Sequence, residues 1–500
     1  MRMSPNFRLP FAGTGTAPFA SPGKGPTFDS LAEPSGIAHS IGMATFRVLD
    51  GRRAWKTACL LFACIGLLAR AAETAPNIIV VLADDLGIGD VGSYGGKVPT
   101  PHLDGMARDG TRFTQFYVAS PICSPSRAAL ITGQFPARHR ITSYLQTRRG
   151  NRACEQADFL ATNAPALPRV LKAAGYATAH IGKWHLGGGR DVTNAPPFSA
   201  YGYDVGFGTY ESPEPHPELT ATNWIWSPRD KVPRWERTRW MVDRTLEFLR
   251  THPGQPCFVN LWLDDVHTPW VPSRDVQDDR ALRGDTRANL RPVLTEMDRE
   301  LGRLLATLRR DGIASNTLVL FLGDNGPLPT FRQERTAGLR GSKLSLYEGG
   351  IREPLIAWWP GRVPAGRVDT NTVLSAVDFF PTLVRLARGT MARDAQTDGE
   401  DVSAALFGKA LVRTRPLFWE YGRNTNAFAF PGIAQNRSPN VAVRDGHWKL
   451  LIQADGTGAE LYEILRDPNE TQNVSDAYRD VARRLAKAAL DWRTSLPSRP

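Results

Sequence analysis

Asp84-Asp85 and Asp324-Asn325 each follow a continuous apolar run. Four side chains that offer only oxygen suit a hard divalent cation, Ca²⁺ or Mg²⁺ rather than Zn²⁺, and larger oxygen counts favour Ca²⁺. A single Asp-Asp pair is more often a turn or a helix cap. Two pairs, each ending a buried strand, point to a metal. Asp264-Asp265 is a third pair that spacing alone leaves in contention. A third apolar run leads to His267, and a fourth to Lys183-Trp184-His185. Cys123-Ser124-Pro125-Ser126-Arg127 opens a helical stretch, with Pro125 near its first turn and Gly133 beyond its end. A helix N-terminus favours negative charge on a thiol placed there. Taken singly, Cys123 reads equally as a thiol that precedes a helix, Lys183 as a surface cation and His267 as a core histidine.

The elements that must hold these residues follow from the apolar patterning. Residues 77–83, 257–263 and 317–322 are unbroken apolar runs, which reads as strands buried on both faces, and 177–181 is a shorter candidate. Leu290, Val293, Leu294, Met297, Leu301, Leu304, Leu305 and Leu308 recur at helical spacing before Gly312. Strands alternating with helices predict an α/β fold with a mostly parallel sheet covered by helices on both faces. Ligands of such sheets bind outside the carboxyl ends of the strands, so four polar strand ends would converge on one cleft. The tail differs. Residues 441–444 and 447–452 flank Asp445-Gly446, a hairpin signal for a type I′ turn. A third strand at 461–464 and a helix at 478–490 complete a smaller C-terminal α+β part with an antiparallel sheet. The division is a catalytic domain over 73–412 and a C-terminal subdomain over 413–500.

Composition narrows the class. Of 61 Lys/Arg and 50 Asp/Glu, eight and three lie in residues 1–72, which leaves 53 against 47 and a net charge of +6. No basic run remains, so nucleic acid is not an indicated partner. Arg52, Arg53 and Lys56 precede an apolar stretch over 58–69, too short to span a membrane, and Ala69-Arg70-Ala71 resembles a cleavage site. Residues 1–72 therefore read as a leader: a signal peptide over 43–72, with Met43 as the true start and residues 1–42 upstream of it. The mature chain would have no transmembrane segment and would be exported, to a periplasm or outside the cell. Cys123, Cys154 and Cys257 remain, which is no disulfide framework.

Cys123-Ser-Pro-Ser-Arg-Ala-Ala-Leu-Ile-Thr-Gly133 resembles the first signature of the formylglycine-dependent (type I) sulfatases, and Gly175-Tyr-Ala-Thr-Ala-His-Ile-Gly-Lys-Trp-His185 the second. Segments around Asp84, His267, Asp324, Lys343 and Gly349-Gly350, and the tail at 444–450, follow in family order over about residues 76–492. Residues 349–361 are most similar to the arylsulfatase A and N-acetylgalactosamine-6-sulfatase branch.

The resemblance implies an alkaline-phosphatase-like fold that hydrolyses sulfate esters, with sulfated small molecules or carbohydrates as substrates. It implies that a formylglycine-generating enzyme converts Cys123 to 3-oxoalanine (Cα-formylglycine), whose hydrated diol is the nucleophile and passes through a sulfated enzyme. Asp84, Asp85, Asp324 and Asn325 would hold Ca²⁺ together with position 123. Arg127 and Lys183 would stabilise the diol, and His185 would assist its proton transfers. Lys343 would bind sulfate, together with Lys183, and His267 would protonate the leaving alcohol. Three carboxylates with Ca²⁺ carry −1, and Arg127, Lys183 and Lys343 bring the set to +2, which suits a sulfate ester gaining charge as its bond breaks. A phosphoesterase or phosphonate hydrolase of the same superfamily is the alternative. His180 and His447 read as structural, and Trp224, Trp226, Trp235 and Trp240 as packing residues that could instead stack on sugars.

Overall fold

The computed structural model describes residues 75–497, apart from residues 223, 276–285, 392–395 and 425. The leader over 1–72, with Cys59 and Cys64, lies outside the described residues. Among those described, no helix is long and apolar enough to cross a membrane.

Nine strands form the main sheet: β1 (Asn77–Ala83), β2 (Thr111–Tyr117), β3 (Ala177–Gly182), β4 (Val205–Gly208), β5 (Cys257–Leu263), β6 (Thr317–Gly323), β7 (Arg352–Trp358), β8 (Arg367–Asp369) and β9 (Leu374–Ser375). Their order is β4-β3-β5-β1-β6-β7-β2-β8, with β9 also on β2. All pairings are parallel except those of β7, which runs antiparallel to both β6 and β2. The four runs expected as strands are β1, β3, β5 and β6, at the centre.

Alternation along β1 shows why these strands are apolar throughout. Ile78, Val80 and Leu82 join one core, shared with Ala128, Ala129 and Ile131 of the helix Cys123–Thr132. Ile79, Val81 and Ala83 join a second core on the opposite face. That core holds Met241 and Leu246 of the helix Arg237–Thr251 and Leu294, Leu301 and Leu308 of the helix Arg287–Arg310. Both faces are covered by helices, so neither tolerates the polar half of an alternating strand.

A second sheet is antiparallel, in the order β10 (Leu417–Glu420), β11 (Val441–Asp445), β12 (Trp448–Ile452) and β13 (Glu460–Glu463), and the helix Arg479–Thr494 packs on it. Its residues Leu417, Val443, Leu450 and Leu461 belong to the same core cluster as Ile78 and Val80, so the tail shares a core with the main sheet. The hairpin turn differs from the expectation. Asp445 pairs with Trp448, so the turn is Gly446-His447, one residue later, and of the two only Gly446 (φ 60°) is left-handed. A type I′ turn needs positive φ at both central residues, and His447, with its Cβ, resists it.

Candidate active site

The site sits where β1, β5 and β6 end level with one another. Ala83 is in register with Leu263 on one side and Gly323 on the other. The next residues, Asp84, Asp264 and Asp324, therefore leave the sheet together. Asp84 N–H still donates to Leu263 O (3.1 Å) and Asp324 N–H to Ala83 O (3.2 Å), which extends the ladder into the site. Asp85 turns with φ 57°, and its N–H donates to Asp324 Oδ1 at 3.0 Å.

Asp84, Asp85 and Asp324 are buried and bring one oxygen each to within 4.8 Å of one another. Asn325 is buried beside them and donates to Asp85 Oδ1 at 2.8 Å. Asn325 Oδ1 is buried without a hydrogen-bond donor, and Asp84 Oδ1 has only the Arg127 guanidinium near it, at 3.3 Å. Burial opposes the charge on Asp84, but Lys183, His267 and Arg127 outweigh it and hold that carboxyl well below the usual range. Burial and the adjacent Asp84 charge push Asp324 well above it. Carboxylates this close in a dry space resist ionising together unless a cation joins them. Clustered acceptor oxygens, with Asn325 Oδ1 lacking any donor, fit a hard divalent cation.

Three cations face this trio. Lys183 Nζ lies 2.7 Å from Asp84 Oδ2, and Lys343 Nζ 2.6 and 2.7 Å from the two oxygens of Asp85. Arg127, fully buried, reaches Asp324 Oδ2 at 2.6 Å and Asp84 Oδ1 at 3.3 Å and donates to Lys183 O at 2.7 Å. Burial works against both lysines, yet Asp84 keeps Lys183 charged and Asp85 keeps Lys343 charged.

Cys123 is the first residue of its helix, buried, and electrostatically coupled to Lys183, Lys343, Asp84 and Asp85. The expectation that the helix N-terminus favours a thiolate does not hold for the unmodified residue. Burial pushes the thiol up, and the two lysines only reduce that rise. Cys154 and Cys257 are buried free thiols.

The two histidines differ in their partners. Thr268 O, which can only accept, lies 2.6 Å from His267 Nδ1, so that nitrogen carries hydrogen and Nε2 is left facing Asp85 Oδ2 at 3.6 Å. Burial lowers the His267 pKa from 6.5, and Asp85 counteracts it. His185 Nε2 lies 2.9 Å from Leu145 O and 3.1 Å from Glu211 Oε2, which places hydrogen on Nε2 and leaves the buried Nδ1 without a partner. Burial pushes His185 down to about 4, with Glu211 opposing.

Asp264-Asp265 takes no part in the oxygen trio. Asp264 Oδ2 is held by Arg234 (3.0 Å) and Arg237 (2.6 Å), and Asp265 Oδ2 accepts from Thr238. Arg234 also donates to His267 O at 2.8 Å and so anchors that loop. Glu211 and Arg190 were not legible. Glu211 bonds Arg190 Nη2 at 2.8 Å, and with Tyr210 and Ile225 it lines a small cavity whose floor is Asp84, Lys183 and His267. No motif marks them, because both stand on irregular chain, Arg190 after β3 and Glu211 after β4. A larger cavity, about 610 Å³, lies across Arg234 between Trp235, Asp265 and Arg291. It contains none of the trio, whereas Asp84 lines the smaller one.

A mostly parallel sheet whose strand ends carry buried carboxylates, lysines and a helix-opening cysteine defines an alkaline-phosphatase-like ester hydrolase. Residues 76–390 match the Sulfatase family and 342–494 the C-terminal region of N-sulphoglucosamine sulphohydrolase, and the chain belongs to the sulfatase family, in its arylsulfatase A and N-acetylgalactosamine-6-sulfatase branch. It is a sulfuric ester hydrolase. The N-acetylgalactosamine-6-sulfatase of Canis lupus familiaris is 34% identical over 391 residues, 73% of this chain and 72% of that one. Arylsulfatase G of Mus musculus is 31% identical over 477 residues, 83% and 86% of the two chains. A solved structure from work on glycosaminoglycan metabolism by Bacteroides thetaiotaomicron superposes with TM-score 0.67 at 25% identity, covering 85% of this chain and all of that one.

Proposed function

We propose that the enzyme removes sulfate from carbohydrates, using Cys123 in its formylglycine form and a Ca²⁺ ion held by Asp84, Asp85, Asp324, Asn325 and position 123. The observation that carries this reading is the buried trio Asp84, Asp85 and Asp324, faced by Lys183, Lys343 and Arg127. When bound, the cation would balance the carboxylates and polarise the oxygens brought to it, and formylglycine would supply a hydrated aldehyde as nucleophile. The chain's own residues do the rest. Lys183 and Lys343, both kept charged, hold the anionic sulfate and meet the charge that grows as the ester bond breaks. Arg127 stabilises the negative charge at position 123. His185 accepts a proton at Nδ1, the nitrogen with no other partner. His267, in its doubly protonated form with Nδ1–H given to Thr268 O and Asp85 as counter-charge, donates the Nε2 proton to the leaving alcohol oxygen and is left neutral.

The carbohydrate substrate is supported by the relatives, which include N-acetylgalactosamine-6-sulfatases. A formylglycine-generating enzyme is the partner this chemistry requires. Export would follow from the leader over 1–72. Parallel assays on aryl sulfate, aryl phosphate and a panel of sulfated sugars test the proposal. Preferred turnover of sulfated sugars supports it, while preferred turnover of phosphate esters would move the chain to the phosphoesterase reading.

A further inference from the structure

Four tryptophans crowd residues 224–240, and one departs from the others. Trp240 is half-buried, packs against Phe207 and His216, and donates its indole N–H to Glu218 at 2.8 Å. Trp226 and Trp235 are also half-buried. Trp224 is 49% exposed, among the few large apolar side chains of the described residues left in solvent. Its other side is fixed. Its ring centroid lies 6.2 Å from that of Tyr210, and the Arg190 guanidinium stands 5.9 Å from both rings. Tyr210 lines the cavity above Lys183 and His267, as does Ile225, the residue after Trp224. Arg190 is bonded to Glu211, whose other oxygen contacts His185. An exposed indole thus stands against the wall of the active site.

A flat apolar ring with adjacent N–H donors suits a sugar ring, which has an apolar C–H face and a hydroxylated edge. We infer that Trp224, with Tyr210 and Arg190, forms a subsite for the sugar unit next to the sulfated one. This rests on the reading that sulfated carbohydrates are the substrates. The subsite sets preference for chain length, because the indole stacks on a ring that the sulfate-holding lysines do not reach. Arg190 is already paired with Glu211, so the subsite is close to neutral and selects ring shape rather than further negative charge.

The test compares N-acetylgalactosamine 6-sulfate as a monosaccharide with the same unit at the non-reducing end of a disaccharide. The wild-type enzyme should favour the disaccharide in kcat/KM by about 10-fold, an advantage in the range of a stacking contact. Trp224→Ala should cut that ratio to within about twofold, chiefly through KM, and Trp224→Phe should keep most of it. Trp224 is half in solvent, so these variants fold. A wild-type ratio near one, or a ratio unchanged in Trp224→Ala, overturns the subsite and leaves the carbohydrate reading intact. Wild-type turnover of 4-nitrophenyl sulfate with none of either sugar, or of other sulfated sugars, overturns that reading and the subsite with it.

Discussion

Glu211 grips the rim and the centre of the site with one carboxylate: Oε1 holds Arg190 at 2.8 Å and Oε2 lies 3.1 Å from His185 Nε2. The pair gives His185 a counter-charge in a place that otherwise disfavours a protonated imidazole. Glu211→Gln should lower kcat by about 10-fold or more, as loss of a carboxylate behind a functional histidine commonly does. Steady-state kinetics on one sulfate ester checks this, and an unchanged kcat would reduce Glu211 to an anchor for Arg190.

Cys123 should be found without its sulfur. Mass spectrometry of the peptide spanning 123 should show an aldehyde in place of the thiol, and Cys123→Ala should lose activity by at least about a thousandfold while remaining folded. Full activity from protein that retains the thiol would refute the nucleophile.

Removal of divalent cations should abolish activity, and Ca²⁺ should restore it. Because a cation that binds only the folded state stabilises it, Ca²⁺ added to chelated protein should also raise Tm. Stoichiometric Zn²⁺ in purified active enzyme would contradict an all-oxygen site.

His267→Ala should discriminate between leaving groups. A nitrophenolate leaves without a proton, whereas a sugar alkoxide needs one, so the variant should lose little on nitrophenyl sulfate and about 10²–10⁴-fold on a sulfated sugar. Lys343→Ala should slow both, since both carry sulfate. Equal losses in His267→Ala would make His267 a binding residue.

Acid should destabilise the fold through its buried histidines. His180 is fully buried, stacked on Phe198 at 5.0 Å with the edges of Trp184 and Trp262 around it, and burial pushes its pKa down to about 3. The unfolded chain binds that proton near pH 6.5 and the folded chain does not. The stabilisation is therefore complete above pH 6.5 and is lost as pH falls toward 3, amounting to about 2 kcal/mol by pH 5. Urea unfolding at pH 7.5 and pH 5 should show His180→Gln losing less stability on acidification than wild type. Parallel losses would argue against a neutral buried imidazole.

The central strands were legible because burial on both faces leaves a one-dimensional signature, an unbroken apolar run, and the polar residue that ends each run is visible beside it. The motif residues became legible for the same reason: Asp84, Lys183, His267 and Asp324 follow β1, β3, β5 and β6 closely. What stayed hidden depends on partners distant in the chain. Nothing local marks β7 as the strand that runs against its neighbours. The rival pair Asp264-Asp265 was decided by Arg234 and Arg237, about 30 residues earlier, and Glu211 acquires its partner only when its loop folds back over His185. At Cys123 the helix N-terminus was visible and the burial that pushes its thiol up was not.

The level ends of β1, β5 and β6 have a consequence for how such an enzyme can change. The proposed reacting groups inherit their spacing from the hydrogen-bonded rungs beneath them, whereas Tyr210, Glu211 and Trp224 stand on irregular chain above. On the proposed roles, bond-breaking apparatus and molecular taste are mounted on separate pieces. Insertions or substitutions in the upper piece can redirect the enzyme to a new sulfated compound without retuning the lower one, whereas a one-residue slip of β6 would turn Asp324 to the opposite face and end activity toward every substrate at once.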